Sequence, residues 1–119
     1  MAGQQRLICA SSALTDAGQG IRFELQYLGQ TTPAFAIRYR GGVYAYLNRC
    51  AHIPVELDWQ EGAFFDLSGL YLLCSTHGAM YSPETGQCMG GRCAGKGLVA
   101  LAVQEYDGHV YLIEETNHV

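Results

Sequence analysis

Charged side chains are scarce in this sequence. Lys, Arg, Asp and Glu supply 15% of its 119 residues, against roughly 25% in an average soluble protein. The seven basic residues nowhere gather into a patch, and eleven acidic ones leave a net charge of −4. A nucleic-acid backbone would find nothing there to neutralise it, so no nucleic-acid partner is expected. Long apolar runs are lacking too. The longest strictly aliphatic stretch, Leu98 to Val103, has six residues, where a helix crossing a bilayer needs about 20. Met1 to Gly20 contains one Arg and no apolar signal core, so neither a secretory nor a twin-arginine signal is expected, and the expected compartment is the cytoplasm. No segment keeps a 3.6-residue apolar period over three turns, which excludes long amphipathic helices. Internal repeats and low-complexity linkers are absent as well, and the expectation is one domain over residues 1–119.

What is present suits short strands. Fifteen Gly and eight Tyr accompany an apolar content of 49%, a mixture fitted to strands joined by tight turns around a modest core. Ile21, Phe23, Leu25 and Tyr27 alternate with Arg22, Glu24 and Gln26, the period of a half-buried strand. After Pro33, the run Ala34 to Arg40 meets Val43 to Asn48 across Gly41-Gly42, and Leu98 to Tyr106 meets His109 to Glu114 across Asp107-Gly108. Both junctions predict hairpins. A short strand, Leu70 to Leu73, follows the turn Asp66-Leu67-Ser68-Gly69. The fold class expected is all-β, with one helical turn around Val55 to Trp59. Two long loops, Arg49 to Gly62 and Ser75 to Gly97, interrupt the strands.

The chemistry gathers at those loops. Cys50-Ala51-His52 opens the first, and Cys74-Ser75-Thr76-His77 leads into the second. A soft thiolate beside a neutral imidazole suits zinc or iron rather than hard cations, which prefer oxygen. Structural zinc sites with two Cys and two His usually take each pair from one element, whereas here each loop offers one of each type.

The pattern C-x-H, twenty-one residues, C-x-x-H-G, followed by Tyr81, Pro83 and Thr85-Gly86, resembles the Rieske family from Tyr44 to Leu112. The resemblance implies a [2Fe-2S] cluster with Cys50 and Cys74 on one iron and His52 and His77 on the other. It further implies an antiparallel β sandwich with the two cluster-binding loops at one tip, and histidine ring nitrogens facing the redox partner. Gly78 and Gly86 would supply positive φ or close backbone approach. The chain departs from the quinol-oxidising members of the family: Val55 and Thr76 stand where those place bridged cysteines, and Ala79 replaces a Ser that hydrogen-bonds cluster sulfur. Tyr81 keeps the other such bond, so the expected potential lies low or midway in the family range of about −150 to +300 mV. The implied function is that of a soluble one-electron ferredoxin between a reductase and a terminal oxygenase or related redox enzyme, without catalysis of its own. The alternative is an accessory or redox-sensing small subunit resembling that of nitrite reductases.

Other residues carry less. Cys88 and Cys93, in the Gly-rich stretch Gly86 to Cys93, are expected as free thiols, a disulfide or a second metal being the alternatives. Cys9 reads as a buried small residue, His109 and His118 as surface histidines, and Trp59 with Phe64-Phe65 as core packing beneath the loops.

Overall fold

The computed structural model describes residues 4–49, 56–58, 60–74, 78–91 and 96–114. Among the described residues ten strands run in chain order: β1 Gln4–Ala10, β2 Ile21–Tyr27, β3 Gln30–Tyr39, β4 Gly42–Leu47, β5 Leu72–Leu73, β6 Met80–Tyr81, β7 Cys88–Gly90, β8 Ala100–Leu101, β9 Val103–Tyr106 and β10 His109–Glu114. A 3-10 turn, Ser11–Ala13, follows β1. Among the described residues there is no α-helix, and none that is long and apolar enough to cross a membrane. Of the predicted helical turn, Glu56, Leu57 and Asp58 are not helical. Val55 and Trp59 lie outside the described residues.

The strands form three antiparallel sheets: an outer sheet β1-β10-β9, a central sheet β2-β3-β4-β8 and a small third sheet β5-β6-β7. Strand β3 explains the layering. Its residues Ala34, Phe35, Ala36 and Ile37 are all fully buried, because alternate side chains serve opposite faces. Ala34 and Ala36 pack with Val110 and Leu112 of β10. Phe35, Ile37 and Tyr39 pack with Leu57, Phe64, Leu72 and Cys74. The small residues thus face the outer sheet and the bulky ones face the third. Phe35 stacks on Phe64 with ring centroids 4.0 Å apart, and Phe65 lies against Tyr39, which bears out the core role expected for that pair.

Three tight turns share one geometry. Leu28-Gly29, Arg40-Gly41 and Asp107-Gly108 all have positive φ at both central residues, the twist that suits a two-residue hairpin. The β3–β4 turn therefore falls one residue earlier than predicted, and Gly42 opens β4 opposite Tyr39. Pro33 lies inside β3, opposite Glu24, rather than ahead of the strand. Its carbonyl accepts from the Asn48 N–H, on the side where β4 has already ended. The missing proline donor leaves the β2–β3 ladder intact. The predicted strand Leu98 to Tyr106 breaks at Ala102, because β8 pairs with β4 while β9 pairs with β10.

One polar clamp joins the outer and central sheets. Arg38 of β3 donates to the carbonyls of Leu14 (2.8 Å), Gly41 (3.0 Å) and Ser11 (3.1 Å). It also forms a forked pair with Glu105 of β9 at 3.1 and 2.5 Å. The Arg38 hydrogen bonds hold the Glu105 carboxyl below its usual pKa.

Candidate metal centre

The third sheet is built around the second cluster loop. Leu72 pairs with Tyr81 and Leu73 with Met80, so β5 and β6 form a hairpin whose loop runs from Cys74 to Ala79. Two backbone bonds close it: the Cys74 N–H donates to Ala79 O at 2.8 Å, and the Gly78 N–H donates to Cys74 O at 2.9 Å. Cys74 and Ala79 are both fully buried. The predicted strand Leu70 to Leu73 shortens to Leu72–Leu73, because Asp66 holds the chain before it in a turn. Its carboxylate accepts from the Gly69 N–H (3.1 Å) and the Ser68 hydroxyl (2.8 Å).

Behind this loop, β7 is followed by Gly91 at φ +83°, where an added Cβ would lie 2.7 Å from Gly78 O and 2.9 Å from Ala79 Cα. Only glycine permits that approach. Gly86 also has positive φ, as expected, but the atom its Cβ would strike is in the Tyr46 ring, at 2.7 Å. Tyr46 in turn donates its hydroxyl to Pro83 O at 2.8 Å. Burial pushes its pKa well above the ordinary tyrosine value, so it stays a donor. The central sheet thereby grips the turn that follows β6.

The first loop is framed differently. Strand β4 ends at Leu47, and the buried Asn48 side chain reaches across to residues 57 and 58. Its Nδ2 donates to Asp58 Oδ1 at 3.0 Å, and its Oδ1 accepts from the Leu57 N–H at 2.9 Å. The second Asp58 oxygen accepts from the Gly62 N–H at 2.9 Å and faces Arg22 Nε at 3.4 Å. Arg22 also pairs with Glu56 at 2.5 Å. The sequence reading gives neither Asn48, the end of an expected strand, nor Asp58 a role at the site. The available signal was a pair of polar residues flanking one ligand motif, and only their burial gives it meaning.

Of the four expected ligands, Cys74 is placed, at the end of β5. Cys50, His52 and His77 lie outside the described residues. Leu57, Cys74 and Ala79 belong to one buried cluster, so the frames of the two loops meet in a single core. A buried soft sulfur donor in a short hairpin loop that also carries an imidazole in sequence fits an iron–sulfur centre.

Cys88 is disulfide-bonded, which corrects the expectation of a free thiol there. That expectation rests on a reducing compartment. Cys93 lies outside the described residues. Cys9 is partly buried in the core between the outer and central sheets, and burial raises its thiol pKa. His109 is exposed, its Nδ1 2.9 Å from Asp107 O; His118 lies outside the described residues.

Comparison with known proteins accords with this geometry. Residues 4–107 match the Rieske [2Fe-2S] domain, and the chain belongs to that family, whose domain carries a [2Fe-2S] cluster. The fold is also that of solved Rieske-type structures. It is similar to the ferredoxin of carbazole 1,9a-dioxygenase from Nocardioides aromaticivorans IC177, with a TM-score of 0.71 and 18% identity over 94% of this chain and 99% of that one. A chain from a complex of reduced oxygenase and oxidized ferredoxin in carbazole 1,9a-dioxygenase gives 0.70 and 21%, over 95% and 97%. The terminal oxygenase of carbazole 1,9a-dioxygenase from Novosphingobium sp. KA1 gives 0.73 and 22%, over 98% of this chain and 31% of that one. The present chain thus spans about a third of that oxygenase. A comparison with curated protein sequences gives no match.

Proposed function

We propose that the protein is a one-electron carrier, a Rieske-type ferredoxin that takes electrons from a reductase and delivers them to a terminal oxygenase or a related redox enzyme, with no catalysis of its own. The match of residues 4–107 to the Rieske domain carries this reading, and the ferredoxin-sized solved structures of the same fold support it. Cys50 and Cys74 would hold one iron as thiolates, and His52 and His77 the other as neutral imidazoles. The bound cluster supplies reversible uptake of one electron. Around it, the chain's own residues fix the donors. The bonds of Cys74 with Ala79 and Gly78 hold the second loop closed, and the fully buried Leu57, Leu72 and Tyr81 exclude water from its inner side. With one ring nitrogen of each histidine left to titrate, the potential should fall as pH rises through the imidazole pKa of the oxidised protein. A cytoplasmic setting suits this role. Rapid mixing of the holoprotein with candidate reductases tests the proposal: reduction at or above the turnover rate of the coupled oxygenase is expected, and reduction far slower than turnover would overturn it in favour of an accessory subunit.

A further inference from the structure

The polar network at the base of the first loop is more elaborate than a surface turn requires. Asn48 is 1% and Asp58 7% exposed, and burying an amide beside a carboxylate is costly unless every group is paired. Here each side-chain oxygen and nitrogen of the two residues has a partner, and the pairing has one orientation. A carboxylate only accepts and a backbone N–H only donates, so the Asn48 amide must point Nδ2 at Asp58 and Oδ1 at Leu57 N. Both bonds run from the last residue before the loop begins to residues 57 and 58 on its far side. No strand ladder does that work: residues 56–58 belong to no strand, and among the described residues the Leu57 N–H bonds only to Asn48. Asp58 is fixed from behind by Gly62 N and Arg22. Leu57, held between them, is fully buried in the cluster that contains Cys74 and Ala79. A shift of Leu57 therefore moves a wall common to both loops.

We propose that Asn48 and Asp58 are positioning residues that close the segment 49–57 across its base and so set the placement of the Cys50 and His52 donors. This rests on the reading of Cys50 and His52 as ligands. A buried amide–carboxylate bond is charge-assisted and directional, which suits a frame that must hold metal donors to within about 0.5 Å. An apolar pair of the same size would fill the space without fixing the register of the two ends.

The test uses the purified holoprotein and three variants: Asn48→Ala, Asp58→Asn, and the exchange Asn48→Asp with Asp58→Asn. The exchange keeps both bonds across the loop: the amide at position 58 would donate to the carboxylate at position 48, which would still accept from the Leu57 N–H. Read out are the paramagnetic resonance spectrum of the reduced cluster, the reduction potential, iron release to a chelator, and the melting temperature. Asn48→Ala should alter the spectrum, shift the potential and speed iron release about tenfold or more, the usual effect of losing a partner that orients a metal ligand. Asp58→Asn, which keeps the volume, should do so to a smaller degree and carries the test should Asn48→Ala fail to fold. The exchange should return spectrum and release rate toward wild type. Single variants that melt earlier yet keep the wild-type spectrum, potential and iron release would overturn the proposal while leaving the carrier reading intact. A wild-type protein without an iron–sulfur signal would instead sink the ligand reading, and this one with it.

Discussion

Within the outer and central sheets the strands are held by long backbone ladders, whereas the third sheet relies on individual side chains. In the first region β2 pairs with β3 along its whole length, from Ile21–Ala36 to Tyr27–Gln30, and β1 pairs with β10 from one end to the other. In the third sheet no strand exceeds three residues. Its order depends on the Asp66 turn, the Asn48–Asp58 bond, the Tyr46 hydroxyl and the aromatic face of β3. Such short strands are marginal alone. The difference teaches that the sandwich is a scaffold complete in itself, whereas the loop-bearing sheet leans on the scaffold and on its metal.

The largest difference between the two regions is expected on removing that metal. Because donor binding energy is folding energy for the segment that supplies the donors, the amides of Leu73 and Cys74 should exchange on the order of a hundredfold faster in the apoprotein, about 3 kcal/mol of local stability. The amides of Ala36 and Val110 should change little. Hydrogen exchange of apo- and holoprotein checks this, and equal acceleration in both regions would break the comparison.

Phe64→Ala should act on both regions at once. The ring stacks on Phe35 between central and third sheets, and its loss should cost about 3–5 kcal/mol, measured by denaturant titration. Cluster bleaching and unfolding should then coincide, since the cavity opens where the two regions meet.

Gly91→Ala should act more locally. A methyl group 2.7 Å from Gly78 O, on a backbone at positive φ, should cost about 1–3 kcal/mol. The expected sign is faster iron release with unchanged exchange in β1 and β10.

The smallest effect concerns the Arg38–Glu105 clamp. The folded-state pKa of Glu105 is depressed, so its contribution is present above the unfolded value of about 4.3 and is lost as pH falls through the folded value. Glu105→Gln should remove that part of the acid sensitivity, no more than about 1 kcal/mol for a pair in contact with solvent. Stability curves between neutral and acidic pH would show the two proteins converging at low pH.

The same contrast explains what could be read from sequence. Strands β2 and β10 have the predicted bounds, because alternation of Ile21, Phe23, Leu25 and Tyr27 with polar residues is a local signal. Strand β1 and the turn at Leu28-Gly29 escaped notice; Leu28 gives no hint that it will adopt φ +52°. The exchange of partners at Ala102 is invisible in Leu98 to Tyr106, since every residue there suits a strand and only tertiary pairing decides which sheet receives it. At the site, the family pattern points to candidate ligand types and to Gly78 and Gly86, both of which have positive φ. It could not reveal Asn48 and Asp58, whose role depends on burial, nor Gly91, whose role depends on the approach of Gly78.

The account stands or falls on mixed sulfur and nitrogen ligation of a two-iron cluster. Purified protein grown with nitrogen-15 histidine, reduced and examined by electron–nuclear double resonance, tests this directly. The account expects iron and sulfide in equal amounts, with hyperfine couplings from two histidine nitrogens that change with the isotope. Zinc in place of iron, or an iron signal indifferent to the label, would contradict it.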